Sequence, residues 1–221
     1  KDWHHLFELC GIFGTLLADQ EGIYEANDPN DRLILGLKGI MSEMELQTMR
    51  NRLDRGRMNK AQRGEMFHGV PMGYVILPSG QVEFDPDEQA RDVVCLMFSK
   101  FEELGSLYGV FHWLLRNDIL MPIRIQTGAK KGQLDWRRPS IVTLSHLMRH
   151  PIYAGAYVYG RRPVDPKNRH VPGRGYRPWV PMDRWKVLLK DRLPAYITWD
   201  QYMKNRERIE QNRNGNESKG A

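Results

Sequence analysis

The sequence predicts an α+β chain that is mainly helical, and three observations carry that prediction. Residues 28–64 read as one long helix, DPNDRLILGLKGIMSEMELQTMRNRLDRGRMNKAQRG. Downstream, three shorter amphipathic segments each begin at a Ser or Asp and stop at a Gly, Asn or Pro. Short β-prone runs flanked by Gly and Pro lie on both sides of these segments, too brief for a large sheet. At 221 residues, 41% hydrophobic and 27% charged, the chain has material for one large or two modest domains with real cores.

Trp3, Leu6, Phe7 and Cys10 share one helical face, predicting a short helix that stops before Gly11 and Gly14. Thr15–Ala18 is a short apolar run ending at Asp19, read as a buried strand. Helix followed by buried strand is the last unit of an α/β layered domain. The remaining strands are expected before Lys1, so a fragment cut from a longer protein is expected.

In the long helix, Asp28 can cap, Pro29 suits the first helical position and Asp31 opposes the dipole. Leu33, Leu37, Ile40 and Met44 recur at spacings of four, three and four, one stripe of a 3.6-residue helix and an expected oligomer contact. After Met49 the helix turns basic, with Arg50, Arg52, Arg55, Arg57, Lys60 and Arg63 against Asp54. Roughly 50 Å of helix is more than a small body buries along its length, so one end should project. Gly36, Gly39 and Gly56 each cost about 1 kcal/mol relative to alanine, which close approach of a partner would explain.

Glu65–Gly73 is a predicted loop and domain boundary, and Pro78-Ser79-Gly80 turns a small hairpin between Tyr74–Leu77 and Gln81–Phe84. Asp85-Pro86-Asp87-Glu88 then opens a helix with an N1 proline and the core stripe Ala90, Val93, Val94, Met97, Phe101 and Leu104. Ser106 caps the next, with Val110, Trp113 and Leu114 inward. Ile119–Pro122 is a connector and Arg124–Arg138 a polar loop. A third helix starts near Ser140, burying Ile141, Leu144, Leu147 and Met148 and showing Thr143, His146 and Arg149 on its other face. Two β-prone runs, Tyr153–Tyr159 and Trp179–Leu189, flank a Pro/Gly-rich basic loop carrying Arg161, Arg162, Lys167, Arg169, Arg174 and Arg177. Helices followed by such a ribbon describe a winged helix-turn-helix. Thr198 and Gln201 form a capping box for a final helix, and the composition is polar from Asn212.

The formal net charge is +6, but residues 1–48 carry −6 and the remainder +12, so a polyanion would be drawn to the second part. Two cysteines, Cys10 and Cys95, stand far apart in apolar helical patterns and are read as reduced core residues. No apolar run reaches membrane-spanning length. No serine or histidine sits in a pattern that activates a nucleophile or holds zinc, so no cofactor, no metal site and no catalytic residue is expected. The basic segments point instead to double-stranded DNA. Arg52, Arg55, Arg57, Lys60 and Arg63 suit phosphates along a backbone. Arg137, Arg138, Ser140, Thr143, His146 and Arg149 suit the third helix entering the major groove, and Arg161 and Arg162 suit the wing.

The order of these residues resembles the large serine recombinases, of resolvase/invertase type. The marks are Glu45, Arg52, Gly56, Arg63 and Gly64, then Pro71, Gly73 and Tyr74. Further on come Trp136, the segment LMRHPIYAGAYVYG (Leu147–Gly160), Trp185 and YITWDQYMKN (Tyr196–Asn205). The resemblance implies a remnant of an α/β catalytic domain over 1–64, a recombinase DNA-binding domain over 65–212 and a flexible tail over 213–221. It implies metal-independent cutting and rejoining of DNA through a phosphoserine, in a dimer or tetramer whose long helix carries the contact. The nucleophilic serine would lie upstream of Lys1, so this stretch should bind DNA and not cleave it. The implied setting is cytoplasmic, bacterial or phage-encoded and nucleoid-associated, with no membrane partner. The alternative is a non-enzymatic winged-helix regulator that dimerises through the long helix.

Overall fold

The computed structural model describes residues 2–125, 128–163 and 179–217, which group into two units, 1–59 and 60–221. The first holds α1 (Asp2–Phe13), β1 (Leu16–Ala18), β2 (Ile23–Glu25) and most of α2 (Pro29–Gln62). α1 does not stop before Gly11. It runs on to Phe13 and ends at Gly14, where φ is +63°, and Asn27 Nδ2 donates to the Gly11 carbonyl at 3.0 Å, satisfying a last-turn acceptor. The Trp3 side chain lies outside the described residues, while Phe7 and Cys10 are buried.

β1 is not the buried strand the sequence predicts. Asp19 Oδ1 accepts the Glu21 and Gly22 amides at 2.8 and 3.0 Å, closing a tight turn. The strand therefore pairs antiparallel with β2, Leu16 opposite Glu25, leaving Leu16 58% and Ile23 70% exposed. α2 begins as expected: Asp28 Oδ1 accepts the Asn30 and Asp31 amides at 2.8 and 3.1 Å. Asp31 in turn accepts the Glu25 amide at 2.8 Å, tying strand to helix.

The small core here is Phe7, Tyr24 and Leu35, with Leu17 against it. Leu35, not the stripe Leu33, Leu37, Ile40 and Met44, is the α2 residue that packs inward. Lys38 Nζ gathers the hairpin onto the helix through Asp19, Glu21 and the Tyr24 hydroxyl at 2.7, 2.7 and 2.6 Å. The Lys38 contact, then the Glu21 amide, lowers Asp19 to about 2.

The second unit carries β3 (Tyr74–Ile76), β4 (Val82–Phe84), α3 (Glu88–Leu104), α4 (Leu107–Arg116), β5 (Met121–Arg124) and β6 (Leu134–Arg137). Then come α5 (Ile141–Met148), a 3-10 turn (Pro151–Tyr153), β7 (Tyr157–Tyr159), a second 3-10 turn (Met182–Arg184), β8 (Val187–Leu189) and α6 (Trp199–Glu217). All four described sheets are two-stranded and antiparallel. The chain is α+β and mainly helical.

Ser106 caps α4 through the Gly109 amide at 3.0 Å, and Thr198 caps α6 through the Gln201 amide at 3.2 Å, as the sequence indicates. Two expectations shift. The connector and polar loop over 119–138 form the β5–β6 hairpin, Met121 opposite Arg137. The cap of α3 is Asp87, whose side chain accepts the Ala90 amide, so Pro86 precedes the helix instead of opening it.

Asp85 is freed for another task. It is 1% exposed and takes a bidentate pair from Arg124, at 2.6 Å from Nε and 2.5 Å from Nη2. Burial alone would raise its pKa, but the guanidinium and the Asp87 amide outweigh it and hold the carboxyl below its ordinary range. Around this pair α4 packs on α3 and α5, and α6 on α5. The core joins Val94, Met97, Phe98 and Phe101 to Val110, Leu114, Leu144, Leu147, Met148 and Tyr153. Cys95 on α3 is exposed, contrary to its expected burial: the neighbours Val94 and Met97 turn inward and leave it outside the buried stripe.

Arg124→Ala leaves the buried Asp85 carboxylate unpaired and should cost about 3–5 kcal/mol in urea unfolding at neutral pH. The depressed folded pKa adds stability that is present above the unfolded value near 3.8 and is lost as pH falls through the folded one. The gap between wild type and variant should therefore close in acid. Gly73 has φ +83°, and an added Cβ would meet Tyr196 Oη at 2.8 Å and Val94 Cγ2 at 3.0 Å. Gly73→Ala should lower stability by at least about 2 kcal/mol in the same measurement.

Candidate nucleic-acid interface

α5 is a short helix with one buried face and one open one. Leu144, Leu147 and Met148 anchor it in the core. On the other side His146 is exposed and Thr143, Ser145 and Arg149 are half-buried. Ser140 stands at the N-cap without a side-chain cap bond. Arg137 and Arg138 precede it, both exposed, and Arg137 Nε donates to Asp135 at 2.7 Å.

The chain then folds Arg161, Arg162 and Trp179 against this helix. Val180 N donates to the Arg161 carbonyl at 3.1 Å, and Trp185 Nε1 to the Val180 carbonyl at 3.1 Å. Trp179, 53% exposed, receives two guanidiniums: Arg161 Cζ lies 4.7 Å and Arg162 Cζ 5.0 Å from its ring centre. The His146 ring lies 6.3 Å away. Cation–π contacts of this kind orient a guanidinium without cancelling its charge.

Thr143, His146, Arg162 and Trp179 line a pocket of about 390 Å³ beside α5. His150 lies at its back, where its Nδ1 accepts the Ile152 amide at 3.3 Å. Burial, then the nearby Arg161 and His146, lowers its pKa to about 3, so it is neutral at neutral pH. Arg161 is half-buried, and its Nη2 donates to the Arg149 carbonyl at 3.3 Å. Burial, opposed by Tyr202 and reinforced by Arg206 and Arg162, lowers its pKa to about 10, still charged at neutral pH.

The structure thus brings Thr143, His146, Arg149, Arg161 and Arg162 together. The remaining predicted residues are distributed otherwise. Arg52, Arg55 and Arg57 are exposed on α2 in the first unit, with Arg57 3.5 Å from Asp54. Lys60 and Arg63 belong to the second unit, and Arg63 Nη2 pairs with Glu65 at 2.9 Å. Leu33, Leu37, Ile40 and Met44 are 73, 57, 55 and 65% exposed. Among the described residues nothing would touch a Cβ at Gly36 or Gly56. Lys167, Arg169, Arg174 and Arg177 lie outside the described residues.

Sequence reasoning passed over Trp179 as the start of a strand, whereas β8 begins at Val187. An aromatic residue closing a Pro/Gly-rich basic segment was the available signal. Tyr153, Tyr157 and Tyr159 are not three alternate residues of one strand, since Tyr153 sits in a 3-10 turn with its hydroxyl donating to the Met72 carbonyl at 2.8 Å. Among the described residues no group of His, Cys, Asp or Glu is placed to hold a metal, and no helix is long and apolar enough to cross a membrane.

The chain is 39% identical over 216 residues to the uncharacterized protein y4bA/y4pH of Sinorhizobium fredii (strain NBRC 101917 / NGR234), a match covering 97% of this chain and 30% of that protein. A crystal structure of an LSR–DNA complex aligns with a TM-score of 0.45 and 14% identity, over 71% of this chain and 38% of that one. The chain therefore spans well under half the length of either. The family model for Recombinase matches residues 88–212, from the first residue of α3 into α6. That match covers more than half of the sequence, and the chain belongs to the Recombinase family.

Proposed function

We propose that this chain is the DNA-recognition part of a serine recombinase, with the strand-cleaving serine outside these residues. The observation that carries the proposal is the open face of α5. Thr143 and His146 stand on a helix fixed by the core, with Arg149 at its C-cap, next to Arg161, Arg162 and Trp179. A core-anchored helix with polar and basic side chains outward suits the major groove, and adjacent guanidiniums suit phosphates. Family membership supports the same reading.

The elements around α5 support a winged-helix-like reading, with one difference from a tight helix-turn-helix. The β5–β6 hairpin stands between α4 and α5, where a tight motif has a turn of three or four residues. β7 and β8 take the place of the wing. In the first unit, Arg52 and Arg55 lie three residues apart on α2 and suit a phosphate backbone. The exposed stripe of Leu33, Leu37, Ile40 and Met44 supports self-association, since so many large apolar groups in water favour a partner surface. Residues 1–64 are assigned to the catalytic-domain side and 65–212 to DNA recognition.

A retardation assay with duplex DNA at low salt should show binding, and its absence would contradict the proposal. Charge reversal at Arg52 or Arg63 should weaken binding to all sequences and flatten the salt dependence by about one contact. Thr143→Ala or His146→Ala should instead change the preferred sequence, by about 1–3 kcal/mol at one base pair. Identical behaviour of the two pairs would contradict the division between backbone and base contacts.

A further inference from the structure

A second cleft, of about 390 Å³, opens on the α6 side of α5, between that helix, Trp185 and α6. Arg149, Arg161, Arg206 and Arg213 all line it. The one acid in its lining is Glu210, 3.5 Å from Arg213. Four guanidiniums against one carboxylate leave a concentrated positive charge in a concave space.

Several other arginines of this chain are matched by carboxylates. Arg57 has Asp54, Arg63 has Glu65, Arg124 has Asp85 and Arg137 has Asp135. In the cleft Arg213 has Glu210, whereas Arg161 and Arg206 are held by neutral groups. Arg161 Cζ lies 4.7 and 5.8 Å from the ring centres of Trp179 and Trp185, and Arg206 Cζ lies 6.0 Å from that of Tyr202. The Tyr202 hydroxyl donates to the Arg149 carbonyl at 3.3 Å. Arg161 Nε is enclosed and has no hydrogen-bond partner among the described residues. Aromatic faces and a carbonyl thus hold Arg161 and Arg206 while leaving their charge for something else.

We propose that this cleft binds a phosphodiester of the DNA backbone, through Arg149, Arg206 and Arg213, with Arg161 as a fixed charge behind them. The proposal rests on the DNA-recognition reading and extends it to α6, a helix that reading leaves without a role. Guanidinium forks match the non-bridging oxygens of a phosphate in shape and charge. His146 lines both this cleft and the pocket beside α5. A phosphate held here sits next to the groups offered to base edges, where a backbone contact sets the register of the helix on the duplex.

The test uses the full chain and a generic duplex, with the binding constant measured as a function of salt. Arg206→Gln with Arg213→Gln should reduce the salt slope by about 1 and weaken binding about 10-fold at moderate salt. Arg206→Lys with Arg213→Lys should restore most of the slope, because the charge returns. Glu210→Gln should tighten binding about twofold or more, a change in the opposite direction that a folding defect does not mimic. An unchanged slope in the glutamine variant, or no gain in E210Q, overturns the phosphate cleft while wild-type binding keeps the DNA reading intact. No binding by the wild-type chain overturns both.

Discussion

Tyrosine hydroxyls hold the second unit together at the place where it has least regular structure. The segment from Met66 to Gly73 is loop, and its carbonyls need donors that no strand or helix supplies. Tyr157 donates to the Met66 carbonyl at 3.0 Å, Tyr153 to Met72 at 2.8 Å and Tyr196 to Gly73 at 2.6 Å. Tyr74 Oη lies 3.0 and 2.8 Å from the Ile152 and Pro194 carbonyls. Three of the rings pack on one another, with Tyr74 edge-on to Tyr196 at 5.3 Å and tilted to Tyr153 at 5.6 Å. Burial raises the pKa of all four phenols, which keeps each a neutral donor. The turn Pro151–Tyr153 follows two residues after α5, so the Tyr153 and Tyr74 bonds tie the chain just beyond that helix to the loop before β3 and to Pro194.

Charge is managed in two ways along the chain. Most ion pairs are local and exposed, such as Arg137 with Asp135, and are worth little in stability. The Asp85–Arg124 pair is different, since its carboxylate is buried and spans 39 residues, joining the start of α3 to the β5–β6 hairpin. Around Trp179 and Trp185, by contrast, the arginines are ordered by rings and carbonyls. That choice keeps the Arg161 charge beside α5, apart from the Asp85–Arg124 pair that holds the fold.

Local signals were legible in the sequence. Asp28, Ser106 and Thr198 act as caps because a cap depends on the two or three residues that follow. The centres of the core faces of α3, α4 and α5 could be read from spacing, but Phe98 widens the stripe of α3, Leu104 at its end is 39% exposed, and Val93, Trp113 and Ile141 are half-buried. Pairings across long stretches could not be read. The β5–β6 hairpin joins residues 16 apart in a segment whose composition is that of a loop. Asp85 looked like part of a cap because its ion-pair partner lies in that same hairpin. β1 looked buried because its composition is apolar, but it lies on a small hairpin with one face in water. At the site, basic residues were visible from composition, whereas the aromatic holders Trp179, Trp185 and Tyr202 depend on α6 and on the segment after 178 folding back onto α5.

The central claim is that α5 reads the major groove of duplex DNA. Selection of a bound duplex from a random-sequence pool, followed by methylation interference, tests it directly. If α5 lies in the major groove, the selected duplex has a defined sequence whose central guanines, when methylated at N7 in that groove, block binding. Recovery of no preferred sequence, or interference confined to minor-groove adenine N3, would contradict it.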